Sequence, residues 1–342
     1  MGDIIHSLPV LATLKENFPE WEIDWLIEKR WRELLEGNRY LSRIVEVDTL
    51  KWRKHPLSPD IWNSLRETVA TLKDRRYDCA MDLQGAVKSA VACAFAGASE
   101  VIGFEKPWLK EPACAVLYTR RVSAAAVHVV DANLALASAL GATSTVIQFP
   151  LPEGDTSSLP PELPQDGLAV LNPGAGWRSK CWPPENYAVL SDALQEEFSL
   201  PVVLNVGPGE ESLAREVQNA CRLANPQLYF GNLTGLIGLL RRSRLMVGPD
   251  TGPLHLAAAL GVPTVGLYGP TDPGRNGPYG RRYKSIRPQD AQTSYQHSQA
   301  EVSSMRRIRP EEVLKAIREI LREEKESVIG PSCFDLDRRS NV

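Results

Sequence analysis

Short apolar runs alternate with helical stretches along nearly the whole chain, and several of the runs end directly in glycine- and proline-rich loops. That order calls for parallel sheets covered by helices on both faces, because each crossover must carry the chain back to the same end of the sheet. In the first 150 residues strands are expected at Glu22–Ile27, Ile44–Val47, Cys79–Leu83 and Val101–Gly103. Helices are expected at Met1–Asn17, Ile61–Lys73, a small-residue stretch ending near Ala96, and His128–Leu140. Pro9 should kink the first helix or mark its first turns. Residues 150–166 hold several prolines and acids without a period and read as a linker. The alternation then restarts, with strands at Leu168–Leu171, Val202–Val206, Leu245–Val247 and Thr264–Tyr268. Helices follow at Glu185–Phe198, Glu211–Arg222, Leu236–Arg242, Leu254–Leu260 and Pro310–Glu326. The chain of 342 residues is long enough for two such domains. A doubly wound domain normally opens on a strand, yet Met1-Gly2-Asp3 stands where the first strand-to-helix loop belongs. A first strand is therefore expected to be missing ahead of Met1.

Composition narrows the ligand. A net charge of −3 gives no general attraction to nucleic acid or to an anionic membrane, so an anionic substrate must meet local basic clusters. The six cysteines show no CxxC pair, so neither a zinc site nor a thioredoxin-like motif is expected, and a reducing cytoplasm fits best. No apolar stretch approaches the roughly 18 residues that span a bilayer.

The loops after the strands carry the chemistry. Gly248-Pro-Asp-Thr-Gly-Pro-Leu-His255 follows one strand and opens a helix. Asp250 or Thr251 is expected to cap that helix, Gly252 to admit a ligand to the backbone, and the helix N-terminus to suit a diphosphate. An ordinary capped helix is the plain alternative. Asn172-Pro-Gly-Ala-Gly-Trp-Arg178-Ser-Lys180 is a small-residue loop from which Arg178 and Lys180 can reach phosphate oxygens. Gly207-Pro-Gly-Glu210-Glu211 places a carboxylate where ribose hydroxyls are commonly held, with Glu210 and Glu211 as rivals and a favourable helix start as the alternative. Asp3 suits a general base or a plain N-cap. Arg53, Lys54, Lys88 and Arg120 either gather into one anion pocket or are ordinary surface charge. A dinucleotide-dependent oxidoreductase is disfavoured, because no GxGxxG opens a helix with an acid about 20 residues on.

Taken together, these stretches resemble glycosyltransferase family 9, the ADP-heptose:lipopolysaccharide heptosyltransferases. The resemblance is carried by Met1-Gly-Asp-Ile-Ile-His-Ser-Leu-Pro9, Asp82-Leu-Gln-Gly-Ala-Val-Lys-Ser89 with Arg120-Arg121, Lys180-Cys-Trp-Pro183 and Asp250-Thr-Gly-Pro-Leu-His255. It implies a GT-B fold, two Rossmann-like domains facing across a cleft. It implies inverting transfer of heptose from ADP-heptose to Kdo-lipid A, with no cofactor and no metal doing the chemistry. Residues 1–152 would then bind the acceptor and 167–308 the donor, with a helix over 309–326 packing across the junction and a disordered tail over 327–342. The implied roles are Asp3 as base, and Lys180, Arg178, Glu210, Asp250, Thr251, Gly252 and His255 as donor ligands. Arg53, Lys54, Lys88 and Arg120 would face the acidic acceptor. The implied location is cytoplasmic and peripheral at the inner membrane, with Trp52, Trp62 or Trp108 as lipid or core contacts. Two alternatives remain open: another sugar and glycan within the same family, or a nucleotide-sugar-binding protein without turnover.

Overall fold

The computed structural model describes residues 1–54, 58–294 and 302–329. The first half runs α1 (Gly2–Asn17), β1 (Asp24–Glu28), β2 (Arg43–Val47), α2 (Thr49–Lys54), α3 (Pro59–Asp74), β3 (Cys79–Met81), α4 (Val87–Phe95), β4 (Glu100–Phe104), β5 (Arg120–Val122) and α5 (Val129–Ala139). The second half opens with β6 (Leu168–Leu171), α6 (Pro184–Phe198), β7 (Val202–Asn205), α7 (Glu211–Ala220), β8 (Gln227–Tyr229) and α8 (Leu233–Arg241). It continues with β9 (Ser243–Pro249), α9 (Gly252–Ala259), β10 (Thr264–Leu267), α10 (Pro273–Asn276), β11 (Tyr283–Ile286), α11 (Val302–Arg306) and α12 (Pro310–Ile329).

The second half forms one parallel sheet in the order β11-β10-β9-β6-β7-β8. Strands β6, β7 and β10 are buried on both faces, which is why they read as continuous apolar runs rather than alternating ones. The order reverses between β6 and β9, so the loops after these two strands diverge and leave a crevice at their carboxyl ends.

The first half departs from a single sheet. Its strands make two parallel ladders, β1-β2 and β3-β4-β5. Among the described residues no strand joins β1 to β3. The ladders meet instead through side chains, with Leu26, Val45, Leu72, Tyr77, Ala80 and Ala96 in one apolar cluster. Helix α1 is buried all round from Ile5 to Leu14, as a helix apolar on every side must be. Pro9 lies inside α1 without ending it.

Helix α1 packs on α5 of its own half and on α9 of the other. Ile5, Leu8, Ile27 and Leu34 share a core with Leu168, Leu239, Met246 and Leu254, so the halves are joined by apolar burial. The linker is ordered too: Leu159 and Leu163 are buried, and Asp155 N–H donates to the Thr234 carbonyl at 2.9 Å.

Helix α12 packs on the second half. Val313, Ile317, Ile320 and Leu321 form its apolar stripe, and they sink into the second half's core beside Leu194, Leu204 and Leu267. Burying each such side chain contributes about 1.5–3 kcal/mol, which fixes the helix where the stripe is matched. Arg318 then pairs with Glu197, and Lys284 with Glu323. Residues 330–342 of the expected tail lie outside the described residues.

Candidate active site

A cleft of about 270 Å³ opens between the halves, where the N-termini of α1 and α9 face each other. Met1, Gly2, Asp3, His6, Gln84, Trp108, Lys110 and Asn133 line it from the first half. Lys180, Asp250, Thr251, Gly252, His255, Arg275 and Asn276 line it from the second. The helix ends touch: a Cβ at Gly252 would stand 2.5 Å from the Met1 sulfur, and one at Gly2 would stand 3.1 Å from His255. Glycine is therefore needed on both sides of the approach.

Asp3 sits in the first turn of α1 with its side chain about half exposed to the cleft. Its Oδ2 accepts from Lys110 Nζ at 2.5 Å and from Gln84 Nε2 at 3.3 Å. No described residue hydrogen-bonds Oδ1, which is left to the cleft. Burial favours the neutral acid, but the Lys110 charge and hydrogen bond outweigh it and hold Asp3 below the usual carboxylate range. The group is thus ionised at neutral pH.

The loop that presents Gln84 is fixed from beneath. Asp82 Oδ1 accepts from the Gln84 and Gly85 amides at 2.8 and 3.1 Å, and Asp82 Oδ2 accepts from the Tyr118 hydroxyl at 2.7 Å. Lys110 N–H donates to the Gly85 carbonyl at 2.9 Å, which ties the loop after β4 to the loop after β3.

On the facing side Asp250 is the hub. Its Oδ2 accepts from Lys180 Nζ at 2.7 Å and its Oδ1 lies 2.9 Å from His255 Nε2. Burial alone would raise this carboxyl, yet the hydrogen bond and charge of His255 and the charge of Lys180 drive it well down. Because Asp250 is engaged in this way, it does not cap α9. Thr251 occupies the N-cap position but makes no side-chain cap, its hydroxyl donating back to the Pro249 carbonyl at 3.2 Å. The expected capped helix is thus replaced by an open helix start, which suits an anion better.

Glu210 and Glu211 take different positions. Glu210 Oε2 accepts from the Gly207 amide at 2.9 Å, and the carboxylate lies so close that a Cβ at Gly174 would fall 2.0 Å from it. It therefore stands between the loops after β6 and β7, whereas Glu211 is exposed in the first turn of α7. Asn172 braces the first of these loops, donating to the Gly174 carbonyl at 2.7 Å and accepting from Asn205 at 2.6 Å.

The other expected site residues divide. Arg178 begins a 3₁₀ turn and is exposed outside the cleft, because the turn directs Lys180 inward. Lys88 is half exposed and stands 3.5 Å from Glu28 at the carboxyl end of β1. Arg53 and Lys54 end α2, whose first residue Thr49 hydrogen-bonds the same Glu28, but their side chains lie outside the described part of the chain. Arg120 is not brought to the cleft: it lies in strand β5 and pairs with Glu100 at the opposite end of β4. Lys110, Arg275, His6 and Gln84 were not singled out from sequence. Lys110 follows β4 and Arg275 lies in the short helix α10 just after β10, positions that could have flagged them, whereas His6 and Gln84 lie inside motifs quoted above without being picked out of them.

The histidines give the site a pH dependence. His6, buried beside His255 and His128 with ring centroids 4.5 and 5.6 Å away, is pushed well below the ordinary imidazole value, mainly by burial and then by those neighbours. Asp3 and Asp250 oppose this without reversing it. Burial likewise lowers His128, against its hydrogen bond to Gly277 and the nearby Asp131. His128 Nδ1 accepts from the Val130 amide at 3.1 Å, so the proton sits on Nε2. As pH falls below about 6.5, the unfolded chain takes up protons that the folded chain refuses, so stability is lost at up to about 1.4 kcal/mol per pH unit for each histidine. Thermal unfolding at pH 7.5 and 5.5 should show this fall, and His6→Leu should shrink it; an equal fall in both proteins would refute the assignment.

The sequence model of glycosyltransferase family 9 (heptosyltransferase) matches residues 65–305. Lipopolysaccharide heptosyltransferase 1 of Pseudomonas aeruginosa PAO1 is 32% identical over 82% of this chain and 79% of its own length. The protein of that name from Escherichia coli K12 is 28% identical over 82% of this chain and 88% of its own. Among solved structures, E. coli heptosyltransferase WaaC with ADP superposes with a TM-score of 0.76 and 26% identity, covering 93% of this chain and 96% of that one.

Proposed function

The chain belongs to glycosyltransferase family 9, the heptosyltransferases, with the GT-B fold, and on that premise we propose that it transfers heptose with inversion from ADP-heptose to the Kdo-lipid A inner core of lipopolysaccharide. The observation that carries the reading is the cleft itself: an ionised carboxylate with one open oxygen faces an uncapped helix N-terminus flanked by a lysine. That pairing separates a base for an attacking hydroxyl from a cradle for a departing diphosphate.

In this mechanism residues 1–152 hold the acceptor and 167–308 the donor. Thr251 and Gly252 at the start of α9 and the ammonium of Lys180 meet the diphosphate, where negative charge grows as the glycosidic bond breaks. Lys180 leaves one oxygen of Asp250 to do so, and His255 keeps the other. Glu210 accepts from the ribose hydroxyls between Gly174 and Gly207. The acceptor hydroxyl attacks the anomeric carbon from the face opposite the diphosphate and gives its proton to Asp3 Oδ1. Lys110 and Gln84 stay on Oδ2 and aim the carboxylate. Lys110 replaces Arg120 as a cation for the acidic acceptor, with Lys88 and α2 at the rim.

No helix among the described residues is long and apolar enough to cross a membrane. Contact with the cytoplasmic face of the inner membrane is proposed as peripheral, through the face of α3 that exposes Trp62 at 55%. Trp108 is only 7% exposed and belongs to the cleft wall.

Glu210→Gln is expected to weaken ADP binding by about tenfold, the loss of a charge-assisted hydrogen bond, while Glu211→Gln leaves it unchanged; calorimetric titration with ADP separates them. The overall reading is tested by the mass of the lipid product. Kdo-lipid A incubated with ADP-heptose and the chain should gain one heptose, whereas gain only on a different glycan would select the other-acceptor alternative.

A further inference from the structure

We propose that Asp82 and Tyr118, neither of which lines the cleft, are positioning residues that hold Lys110 and Gln84 on the Asp3 carboxylate, an inference that rests on Asp3 as the base. The device begins with a buried acid that has no cation. Asp82 is 2% exposed, and among the described residues its carboxyl is hydrogen-bonded only by the Gln84 and Gly85 amides and the Tyr118 hydroxyl. Such a group adds little net stability, because leaving water costs about what its hydrogen bonds return. Its three bonds instead fix geometry, two in the loop that carries Gln84 and one to the ring behind that loop. The Asp82 N–H is itself tied to the Ile102 carbonyl of β4 at 2.9 Å.

Gly85 carries that geometry to the lysine within one residue. It turns at a φ of +65°, where glycine is favoured, and a Cβ there would stand 3.2 Å from the Trp108 carbonyl and 3.4 Å from the Lys110 nitrogen. Its N–H is spent on Asp82, and its carbonyl accepts from the Lys110 and Glu111 amides at 2.9 and 3.1 Å. Tyr118 closes the other end. It is 5% exposed, its hydroxyl also lies 3.2 Å from Cys114 Sγ, and its ring lies so close to Gly103 that a Cβ there would stand 2.4 Å from it. The hydroxyl therefore has little room to leave Asp82. Burial and the bond to Asp82 push the phenol well above its ordinary value, so it stays a donor across the working pH range.

The test is Tyr118→Phe, which removes one hydroxyl and keeps the ring. It should lower kcat by about tenfold, the worth of one hydrogen bond, while ADP affinity measured by calorimetry stays at the wild-type value. The acid limb of kcat/KM should move to higher pH, because a lysine held less firmly depresses the Asp3 carboxyl less. Asp3 is faced by Lys110, Gln84, the Met1 amino group and His6. Only the first two hang on this loop, so the others cancel between variants. In the Lys110→Met background Tyr118→Phe should move the limb no further. Asp82→Asn should keep the wild-type limb, since its oxygen still accepts from both amides and its nitrogen can donate to the Tyr118 oxygen. A fall in kcat with an unmoved limb, an equal shift in both backgrounds, or a shift in Asp82→Asn as large as that in Tyr118→Phe would each overturn the proposal. Normal turnover by Asp3→Asn would instead remove the premise, a result that these variants leave separate.

Discussion

Asp3→Asn is expected to lower kcat by about 10²–10⁴-fold, the usual contribution of a positioned general base, with ADP affinity unchanged. The asparagine keeps the size of the side chain but cannot take the acceptor's proton on Oδ1. Folding should be little affected, since the ion pair with Lys110 is about half exposed and such pairs add about 0–1 kcal/mol. Lys110→Met supplies the second half of the argument. Lys110 depresses the Asp3 carboxyl, so its removal should move the acid limb of the kcat/KM profile to higher pH. Asp3→Asn with normal turnover would remove Asp3 from the chemistry, and an unmoved acid limb in Lys110→Met would show that the lysine acts elsewhere.

Lys180→Ala is expected to combine a catalytic and a structural loss. Removing one preorganised donor from the position where charge develops lowers kcat by about 10²–10³-fold. The same change strips Asp250, itself only 9% exposed, of one of its two partners. His255 stays on the other oxygen, so the stability loss should be about 1–3 kcal/mol rather than that of a wholly unpaired buried charge. Asp250→Asn in the Lys180→Ala background should recover much of the stability without recovering turnover. Thermal unfolding of the single and double variants, read beside kcat, separates the two effects; recovery of turnover in the double variant would contradict the role given to Lys180.

The inner strands β6, β7 and β10 of the second half were legible because they are buried on both faces. Leu168–Leu171 has no polar position and Thr264–Leu267 only its first residue to confuse the reading. Strands β5, β8 and β11 escaped for the opposite reason: Arg120-Arg121, Gln227 and Lys284 put polar side chains into segments of three or four residues, too short for a period to show. The donor side of the site was legible for a local reason, since Asp250, Thr251, Gly252 and His255 lie within one loop and one helical turn. The acceptor side is assembled from separate loops. Asp3 and Lys110 stand 107 residues apart, and only the docking of the loop after β4 onto Gly85 brings them together. Arg120 illustrates the limit of reading charge without topology: its own strand carries it to Glu100, away from the strand ends that border the cleft. Helix α12 shows the same for packing. Its stripe announced burial, and only the three-dimensional match with α6, β10 and β11 decided against what.

The account stands most directly on release of ADP from ADP-heptose by the purified chain, measured with and without Kdo-lipid A. It predicts release that depends on the acceptor and is lost in Asp3→Asn. ADP-heptose bound but never turned over in the presence of acceptor would contradict it and leave the chain a nucleotide-sugar-binding protein.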